Sequence, residues 1–150
     1  MESFFERLLL LKKTSAFAEV PSEDLRVVVA ELQEDALTAG ERVFDIGDPS
    51  DRMYLVESGK VGIALSEDPA CTEFVKILAQ GDCFGEMGLF DDLPRSATAH
   101  VVEDAVLLTL ERDKLRSLVV GYPELGLGLL RGMSQRLRNA NDLLMNKKGG

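Results

Sequence analysis

Phe84–Leu89 reads FGEMGL and Pro94–Thr98 reads PRSAT, with four residues between the two segments. Together they place two glycines, one carboxylate and one arginine around a short apolar stretch. Glycines allow backbone conformations in which a ligand approaches closely and N–H groups converge on an anion. Arg95 adds a permanent charge whose planar fork fits two phosphate oxygens, and the Glu86 carboxylate is a good double acceptor for sugar hydroxyls. The pattern therefore predicts a site for a nucleotide.

The same residues also have a purely structural interpretation. Gly-rich turns beside an Arg–Glu pair occur in many β-proteins, where glycines form bulges and the ion pair contributes little. Two other nucleotide signatures are absent from the sequence, which has neither Gly-x-Gly-x-x-Gly nor Gly-Lys-Ser/Thr. Met87, Leu89 and Phe90 are predicted to anchor a short helical turn. The chemistry of these residues alone leaves both interpretations open.

Length and composition predict one compact domain, because 150 residues with 45 % hydrophobic content suffice for a single core. Seventeen basic and 26 acidic side chains give a net charge of −9, the wrong sign for neutralising DNA phosphates, so we expect no direct nucleic-acid partner. Cys71 and Cys83 lack the spacing of a disulfide framework or a zinc site. The apolar run Leu8–Leu11 is too short to span a bilayer. We therefore expect a cytoplasmic protein without a membrane or metal partner.

Hydrophobic periodicity divides the chain into three parts. Residues 1–33 are predicted to hold two helices, the first with Phe4 and Phe5 on its apolar face and the second capped at Ser22. Residues 35–110 show short apolar runs separated by turn signals such as Ser58-Gly59. This pattern predicts a β-sandwich or barrel of the jelly-roll kind.

The third part, residues 112–146, is predicted to form a short helix ending near Gly121 and a long helix beginning at Pro123. Three glycines weaken the first half of the long helix by up to about 1 kcal/mol each relative to alanine, which suits a helix that moves. Those glycines are Gly126, Gly128 and Gly132. The apolar stripe of this helix comprises Leu125, Leu129, Met133, Leu137 and Leu144.

The pair of segments Phe84–Leu89 and Pro94–Thr98 closely resembles the phosphate-binding cassette of cyclic nucleotide-binding domains. That family includes the catabolite activator protein and the regulatory subunits of protein kinase A. The likeness covers nearly the whole chain, since residues 18–25 and 39–61 resemble the family's first helix, hairpins and next turn. It implies a mainly β fold with flanking helices. We expect a jelly-roll-like β-roll (double-stranded β-helix) at residues 35–110, with the cassette at residues 84–98. N-terminal helices precede this β-roll, and a C-terminal lid helix follows it.

The resemblance implies a role for each residue of the cassette. Glu86 is expected to accept a hydrogen bond from the ribose 2′-hydroxyl, and Arg95 is expected to pair with the cyclic phosphate. Because members that prefer cGMP often have threonine at the position of Ser96, we expect cAMP as the preferred ligand and cGMP as the second. The backbone N–H groups of Gly85, Met87 and Ala97, with the hydroxyl and N–H of Ser96, would complete the cradle.

In the family, the last helix covers the bound base and often pairs with a second subunit. The candidate lid residues here are Arg136, Asn139 and Asn141, whose alternative interpretation is a solvated helix face. The chain departs from the catabolite activator pattern, because that protein's Thr-Ser pair falls at Ala140-Asn141. Asn141 or a stacked Arg136 is the candidate replacement for the lost threonine hydroxyl. The apolar stripe is either intramolecular core or the seam of a homodimer.

The predicted function is a non-enzymatic cyclic nucleotide sensor with no catalytic residue, no cofactor beyond its ligand and an unknown effector protein as partner. DNA-reading members continue into a helix-turn-helix domain that is absent here, so we expect a freestanding sensor or one module of a larger protein. A cupin-type hydrolase is disfavoured, because the single histidine, His100, offers no metal cluster. The other alternative is a nucleotide-free interaction module, against which the presence of both Glu86 and Arg95 argues.

Overall fold

The computed structural model describes residues 4–68, 70–71, 73–86 and 88–149. They form two compact units, a β unit of Glu31–Arg116 and a helical unit of the residues up to Ala30 and from Ser117 onward. The helices are α1 (Phe4–Lys13), α2 (Ser22–Glu31), α3 (Gly88–Asp91), α4 (Arg112–Gly121) and α5 (Pro123–Gly149). The strands are β1 (Gln33–Leu37), β2 (Arg42–Phe44), β3 (Arg52–Ala64), β4 (Lys76–Leu78), β5 (Cys83–Phe84) and β6 (Thr98–Glu111).

Two long antiparallel strands form the centre of the β unit. β3 and β6 pair from Arg52 opposite Glu111 to Ala64 opposite Thr98. The order of the sheet is β1-β6-β3-β4, with β2 also paired to β6 and β5 also paired to β3. β1 and β5 lie along one half of the central pair, and β2 and β4 lie along the other half.

The Ser58-Gly59 pair lies within β3 and is not the turn that its composition predicts. Pairing with β6 continues on both sides of it, and the register shifts across it, so the feature is a bulge. Gly59 has a φ of +84°, and a Cβ there would lie 2.2 Å from the carbonyl oxygen of Asp104. The turn prediction is wrong because a glycine with positive φ serves a bulge as well as a turn.

Bulges bend and twist strands, which lets the two halves of β3 and β6 enclose one core. Tyr54 and Leu107 from one half pack in the same buried cluster as Val61 and Val101 from the other half. The predicted β-roll with flanking helices is confirmed, although two long bent strands replace several of the predicted short ones. The strands span residues 33–111, slightly beyond the predicted 35–110, and the last helix extends past the predicted 146.

The N-terminal helix of the helical unit forms where its periodicity predicts, but only part of its apolar stripe is buried. Leu8 and Leu11 are buried, whereas Phe4 and Phe5 are 48 % and 63 % exposed. Lys12 donates from Nζ to the carbonyl oxygen of Val20 at 2.8 Å, which ties α1 to the loop before α2.

Two glycines of α5 pack against the backbone of the loop between α1 and α2. A Cβ at Gly128 would lie 2.7 Å from the Cα of Val20, and a Cβ at Gly132 would lie 3.0 Å from the carbonyl oxygen of Ser15. These glycines therefore permit close packing within the helical unit, in addition to lowering helix propensity.

The apolar stripe of α5 is buried only in its first part. Leu125 and Leu129 are buried, whereas Leu137 and Leu144 are 68 % and 59 % exposed. Of the helices that the structure describes, none combines the length and apolar character needed to cross a membrane.

Candidate functional site

A cavity of about 480 Å³ lies beside the predicted cassette, and the described residues that line it lie between Phe44 and Ala97 in the β unit. Met87, another predicted cradle residue, lies outside the described residues. The structure thus brings together the arginine, the acid and most of the predicted backbone cradle. The predicted site residues that line the cavity are Gly85, Glu86, Arg95, Ser96 and Ala97.

The Arg95 side chain is only 7 % exposed and is held by neutral groups. Its Nη2 donates to the carbonyl oxygen of Arg52 at 2.7 Å, and its Nη1 donates to the carbonyl oxygen of Gly85 at 3.2 Å. Its Cζ lies 4.2 Å from the ring centroid of Phe44 and 5.7 Å from that of Tyr54. Among the described residues, no carboxylate forms an ion pair with Arg95, and its Nε has no hydrogen-bond partner.

Burial lowers the pKa of Arg95 because the guanidinium loses contact with water, while Tyr54 and Asp51 offset part of this effect. An arginine nonetheless stays protonated in a protein, so the site retains its positive charge. A buried charge without an ion-pair partner is energetically costly. The arrangement therefore favours an anion that enters the cavity and contacts Arg95.

The backbone of Arg95 is held on both sides by the loop before β3. Its N–H donates to the carbonyl oxygen of Asp48, and its carbonyl oxygen accepts from the N–H of Gly47, both at 2.8 Å. Three residues further on, the Thr98 hydroxyl accepts from the N–H of Ile46 at 3.1 Å. These bonds join the PRSAT segment to residues that are distant in sequence and so set the position of the arginine.

Both glycines of the FGEMGL segment occupy positions where a side chain would collide with the site. Gly85 has a φ of +77°, and a Cβ there would lie 2.5 Å from Nη1 of Arg95. A Cβ at Gly88 would lie 2.0 Å from the Cβ of Ser50, which also lines the cavity. One glycine thus leaves room for the arginine, and the other lets the start of α3 pack closely against Ser50.

The short helix α3, which begins at Gly88, confirms the predicted helical turn. Leu89 is 4 % exposed and anchors the turn, whereas Phe90 is 42 % exposed. The anchoring role predicted for Phe90 is therefore wrong, because a single turn of four residues buries only one side. Asp92, directly after the turn, has a φ of +62° and forms an ion pair with Arg112 at the start of α4.

Some cavity residues were missed by sequence reasoning because they lie outside the cassette. Phe44 comes from β2, Ile63 from β3, and Lys76 and Leu78 from β4. Ile63 is paired with Lys76 across the sheet. No local motif marks these residues, since strand register alone brings them to the cavity.

The three predicted lid residues lie on α5 in the helical unit. Asn139 and Asn141 are exposed and Arg136 is partly buried. Asn139 accepts a hydrogen bond through Oδ1 from Nε2 of Gln135 at 3.1 Å. Contacts of these residues with a base remain a prediction.

Metal-binding side chains do not gather in any group of three or more within the part of the chain that the structure describes. His100 is buried beside Phe74, with 5.6 Å between the ring centroids.

Comparison with known proteins places this geometry in a family. A cyclic AMP-activated global transcriptional regulator of Mycobacterium tuberculosis, described as CRP-like, is 32 % identical over 135 residues, which cover 90 % of this chain and 60 % of that protein. The chain thus spans about 60 % of the length of this curated relative.

Two solved structures share the fold of the chain. The N-terminal domain of a transcriptional regulator from Streptomyces coelicolor has a TM-score of 0.80 at 33 % identity, with 89 % of this chain and 95 % of that one covered. The regulatory domain of Toxoplasma gondii PKA, crystallised with cAMP, has a TM-score of 0.67 at 28 % identity, with 74 % and 42 % covered. The sequence model of the cyclic nucleotide-binding domain matches residues 34–122. The resemblance seen in the cassette is confirmed, and the chain belongs to the cyclic nucleotide-binding domain family, in the regulatory type that CRP-like regulators and PKA regulatory domains represent.

Proposed function

We propose that the cavity of the β unit binds a 3′,5′-cyclic nucleotide and that the chain acts as a sensor of it. The single observation that carries the proposal is Arg95, a charged side chain with 7 % exposure on the wall of a cavity of about 480 Å³. Its partners are carbonyl oxygens and aromatic faces, so an incoming phosphate would supply the missing negative charge. Because a net charge of −9 repels anions at long range, capture of an anion depends on this local positive site.

The other cradle residues suit the remaining parts of the ligand. Glu86 lines the same cavity as Arg95, and its carboxylate can accept from the ribose 2′-hydroxyl. Ser96 and Ala97 follow the arginine directly and offer backbone N–H groups and one hydroxyl to the cyclic phosphate. This combination distinguishes a nucleotide from a free anion, because the acid has no role in binding phosphate alone.

We propose cAMP as the preferred ligand over cGMP. The support is the serine at position 96, where family members that prefer cGMP often carry threonine. The Toxoplasma gondii relative was crystallised with cAMP, and the Mycobacterium tuberculosis relative is described as cAMP-activated.

We also propose that ligand binding is coupled to movement of α5. A ligand shifts a conformational equilibrium only through its different affinities for the two states, so the lid residues Arg136, Asn139 and Asn141 must contact the base mainly in one state. Amide hydrogen exchange of α5 tests this, since cAMP should slow exchange in this helix. Unchanged exchange in α5 under saturating cAMP would refute the coupling.

A second role, as an interaction or dimerisation module, is favoured by the far part of α5. Several large apolar side chains in this segment are between 59 % and 70 % exposed. We propose this surface for an effector protein or a second copy of the chain. Light scattering of the purified chain and of Leu137→Glu tests the homodimer, which would dissociate in the variant. The exposed side chains are Leu137, Leu143, Leu144 and Met145.

Thermal unfolding with millimolar cAMP, cGMP and 5′-AMP tests the main proposal. A ligand at a hundredfold excess over its dissociation constant stabilises the folded state by about 2.7 kcal/mol if it binds that state alone. We expect the largest rise in Tm with cAMP, a smaller rise with cGMP and none with 5′-AMP, whose open phosphate has a different shape and charge. The absence of any shift would refute nucleotide sensing and leave the interaction module as the leading function.

A further inference from the structure

Arg112, the first residue of α4, contacts two segments of the β unit, the end of α3 and the loop before β3. Its Nη1 donates to the Asp92 carboxylate and, at 3.4 Å, to the carbonyl oxygen of Ser50. Its backbone N–H donates to the carbonyl oxygen of Asp51 at 2.9 Å. Arg112 is not among the described residues that line the cavity, so it acts on a ligand there only through these neighbours.

The two segments that Arg112 joins also pack against each other at the cavity. Ser50 is buried and lines the cavity, and a Cβ at Gly88, the first residue of α3, would lie 2.0 Å from the Cβ of Ser50. Asp92 directly follows the last residue of α3. The short helix is therefore held at its start by packing on Ser50 and at its end by the ion pair of Asp92 with Arg112.

Glu86 is tied to the same short helix. It lies two residues before α3, and its carbonyl oxygen accepts from the N–H of Leu89, inside α3, at 3.2 Å. Glu86 also lines the cavity. A displacement of α3 would therefore move Glu86 relative to a bound ligand.

Arg95 is held mainly by contacts that do not involve α3. Its backbone bonds to Gly47 and Asp48, and its Nη2 donates to the carbonyl oxygen of Arg52. One further bond, from Nη1 to the carbonyl oxygen of Gly85 at 3.2 Å, joins it to the segment before α3. The bonds to Gly47, Asp48 and Arg52 would remain if α3 were displaced, so the arginine would keep its place while the acid moved.

We propose that Arg112 is a positioning residue for nucleotide binding, which holds α3 so that the Glu86 carboxylate meets the ribose 2′-hydroxyl. This inference rests on the proposed function, because that function assigns the ribose to Glu86. A binding group that neighbouring contacts hold in place before the ligand arrives needs less ordering on binding. Arg112 therefore raises the affinity through the ribose and not through the phosphate.

Isothermal titration calorimetry of the full chain with cAMP and with 2′-deoxy-cAMP tests the inference. The deoxy ligand lacks the hydroxyl that Glu86 would contact, but it retains the cyclic phosphate and the base. The variants are Arg112→Met, which removes the guanidinium, Asp92→Asn, which removes the carboxylate charge, and the double variant. Asparagine tolerates the left-handed φ of +62° at position 92, so the second variant adds no backbone strain. Lys114→Met is the matched control, because Lys114 is also a cation of α4 but pairs with Glu31.

We expect Arg112→Met to weaken cAMP binding by about tenfold, close to the loss of one hydrogen bond to a charged group, and 2′-deoxy-cAMP binding by less than about twofold. Asp92→Asn should shift the two affinities in the same unequal way. The double variant should bind cAMP no more weakly than Arg112→Met, because both changes remove the same ion pair. Lys114→Met should leave both affinities unchanged.

An equal loss for cAMP and 2′-deoxy-cAMP would overturn the inference, because Arg112 would then support the phosphate site or the fold as a whole. Unchanged affinities in Arg112→Met would overturn it as well. If urea unfolding shows that Arg112→Met does not fold, the comparison of the two ligands in Asp92→Asn decides by the same criteria. Equal affinities of the wild type for the two ligands would overturn the inference by removing the ribose contact of Glu86. Failure of the wild type to bind either ligand would instead refute the proposed function itself.

Discussion

The guanidinium carbon of Arg95 lies 4.2 Å from the ring centroid of Phe44, on a platform that Tyr54 and Phe84 extend. The Tyr54 and Phe84 rings are stacked, with 5.0 Å between their centroids. A desolvated cation over an aromatic face gains about 2 kcal/mol, which offsets part of the cost of burying the charge. The platform thus holds the arginine in place before a ligand arrives, so less ordering is needed on binding.

Arg95→Ala should weaken cAMP binding by about thirtyfold to several thousandfold, since losing one partner of a buried charged contact costs about 2–5 kcal/mol. The free energy of unfolding without ligand should change by less than about 1 kcal/mol, because relief of charge burial offsets the lost aromatic and carbonyl contacts. Calorimetric binding and urea unfolding provide the two measurements. Arg42→Ala is the control, since Arg42 pairs with Asp45 and does not line the cavity. If Arg95→Ala unfolds at a lower urea concentration than the wild type, and nucleotide changes the stability of neither protein, then Arg95 is a structural residue.

Gly88→Ala should lower both the Tm and the affinity for cAMP. The added Cβ would lie 2.0 Å from the Cβ of Ser50, and overpacking of this kind costs about 1–3 kcal/mol. Ser50→Gly removes the opposing atom, so the double variant Gly88→Ala/Ser50→Gly should recover much of the Tm lost in Gly88→Ala. If the double variant loses as much Tm as the two single variants lose together, this collision is not the cause.

Gly128→Ala should destabilise the helical unit despite the higher helix propensity of alanine. The propensity gain is about 1 kcal/mol, but the new Cβ would lie 2.7 Å from the Cα of Val20, which cannot move aside as a side chain can. Gly121→Ala is the matched control, because a Cβ there would meet no atom within 4 Å. Urea unfolding should give a loss for Gly128→Ala and no loss for Gly121→Ala. A gain at position 128 would mean that its glycine serves only to weaken the helix.

The free energy of unfolding should fall at alkaline pH, in part because Tyr54 loses its proton. Burial raises the pKa of Tyr54 above its ordinary value of 10.0, and the charges of Arg95 and Arg52 oppose part of that rise. The folded protein therefore retains this proton at a pH where the unfolded chain has lost it. The resulting stabilisation is complete below pH 10 or so and is lost as the pH rises through the folded pKa.

Urea unfolding between about pH 9 and pH 11 measures this effect, given the ordinary tyrosine pKa of about 10. Tyr54→Phe should lose stability less steeply than the wild type over that range. Tyr122→Phe is the control, since Tyr122 is 44 % exposed. Parallel curves for the wild type and Tyr54→Phe would contradict the assignment.

Local patterns predicted the elements well where a short segment carries its own signal. The cap at Ser22 and the proline at position 123 predicted the starts of α2 and α5, and both helices begin there. Ser58-Gly59 was misread as a turn, because only its pairing with β6 distinguishes a bulge. Phe90 was misassigned to the core, because the side of a four-residue turn that is buried depends on what packs against it.

By itself, the sequence determined the family, the β-roll and the chemistry of the cassette, because the glycines, the acid and the arginine lie within a few residues of one another. Only the tertiary structure decided that Arg95 is buried with no carboxylate partner among the described residues and that Lys76 joins it at the same cavity. Both facts depend on strands that are distant in the chain, since Arg52 lies 43 residues before Arg95 and Lys76 reaches the cavity through its pairing with Ile63. Strand register is set by burial summed over a whole sheet, which no local pattern contains.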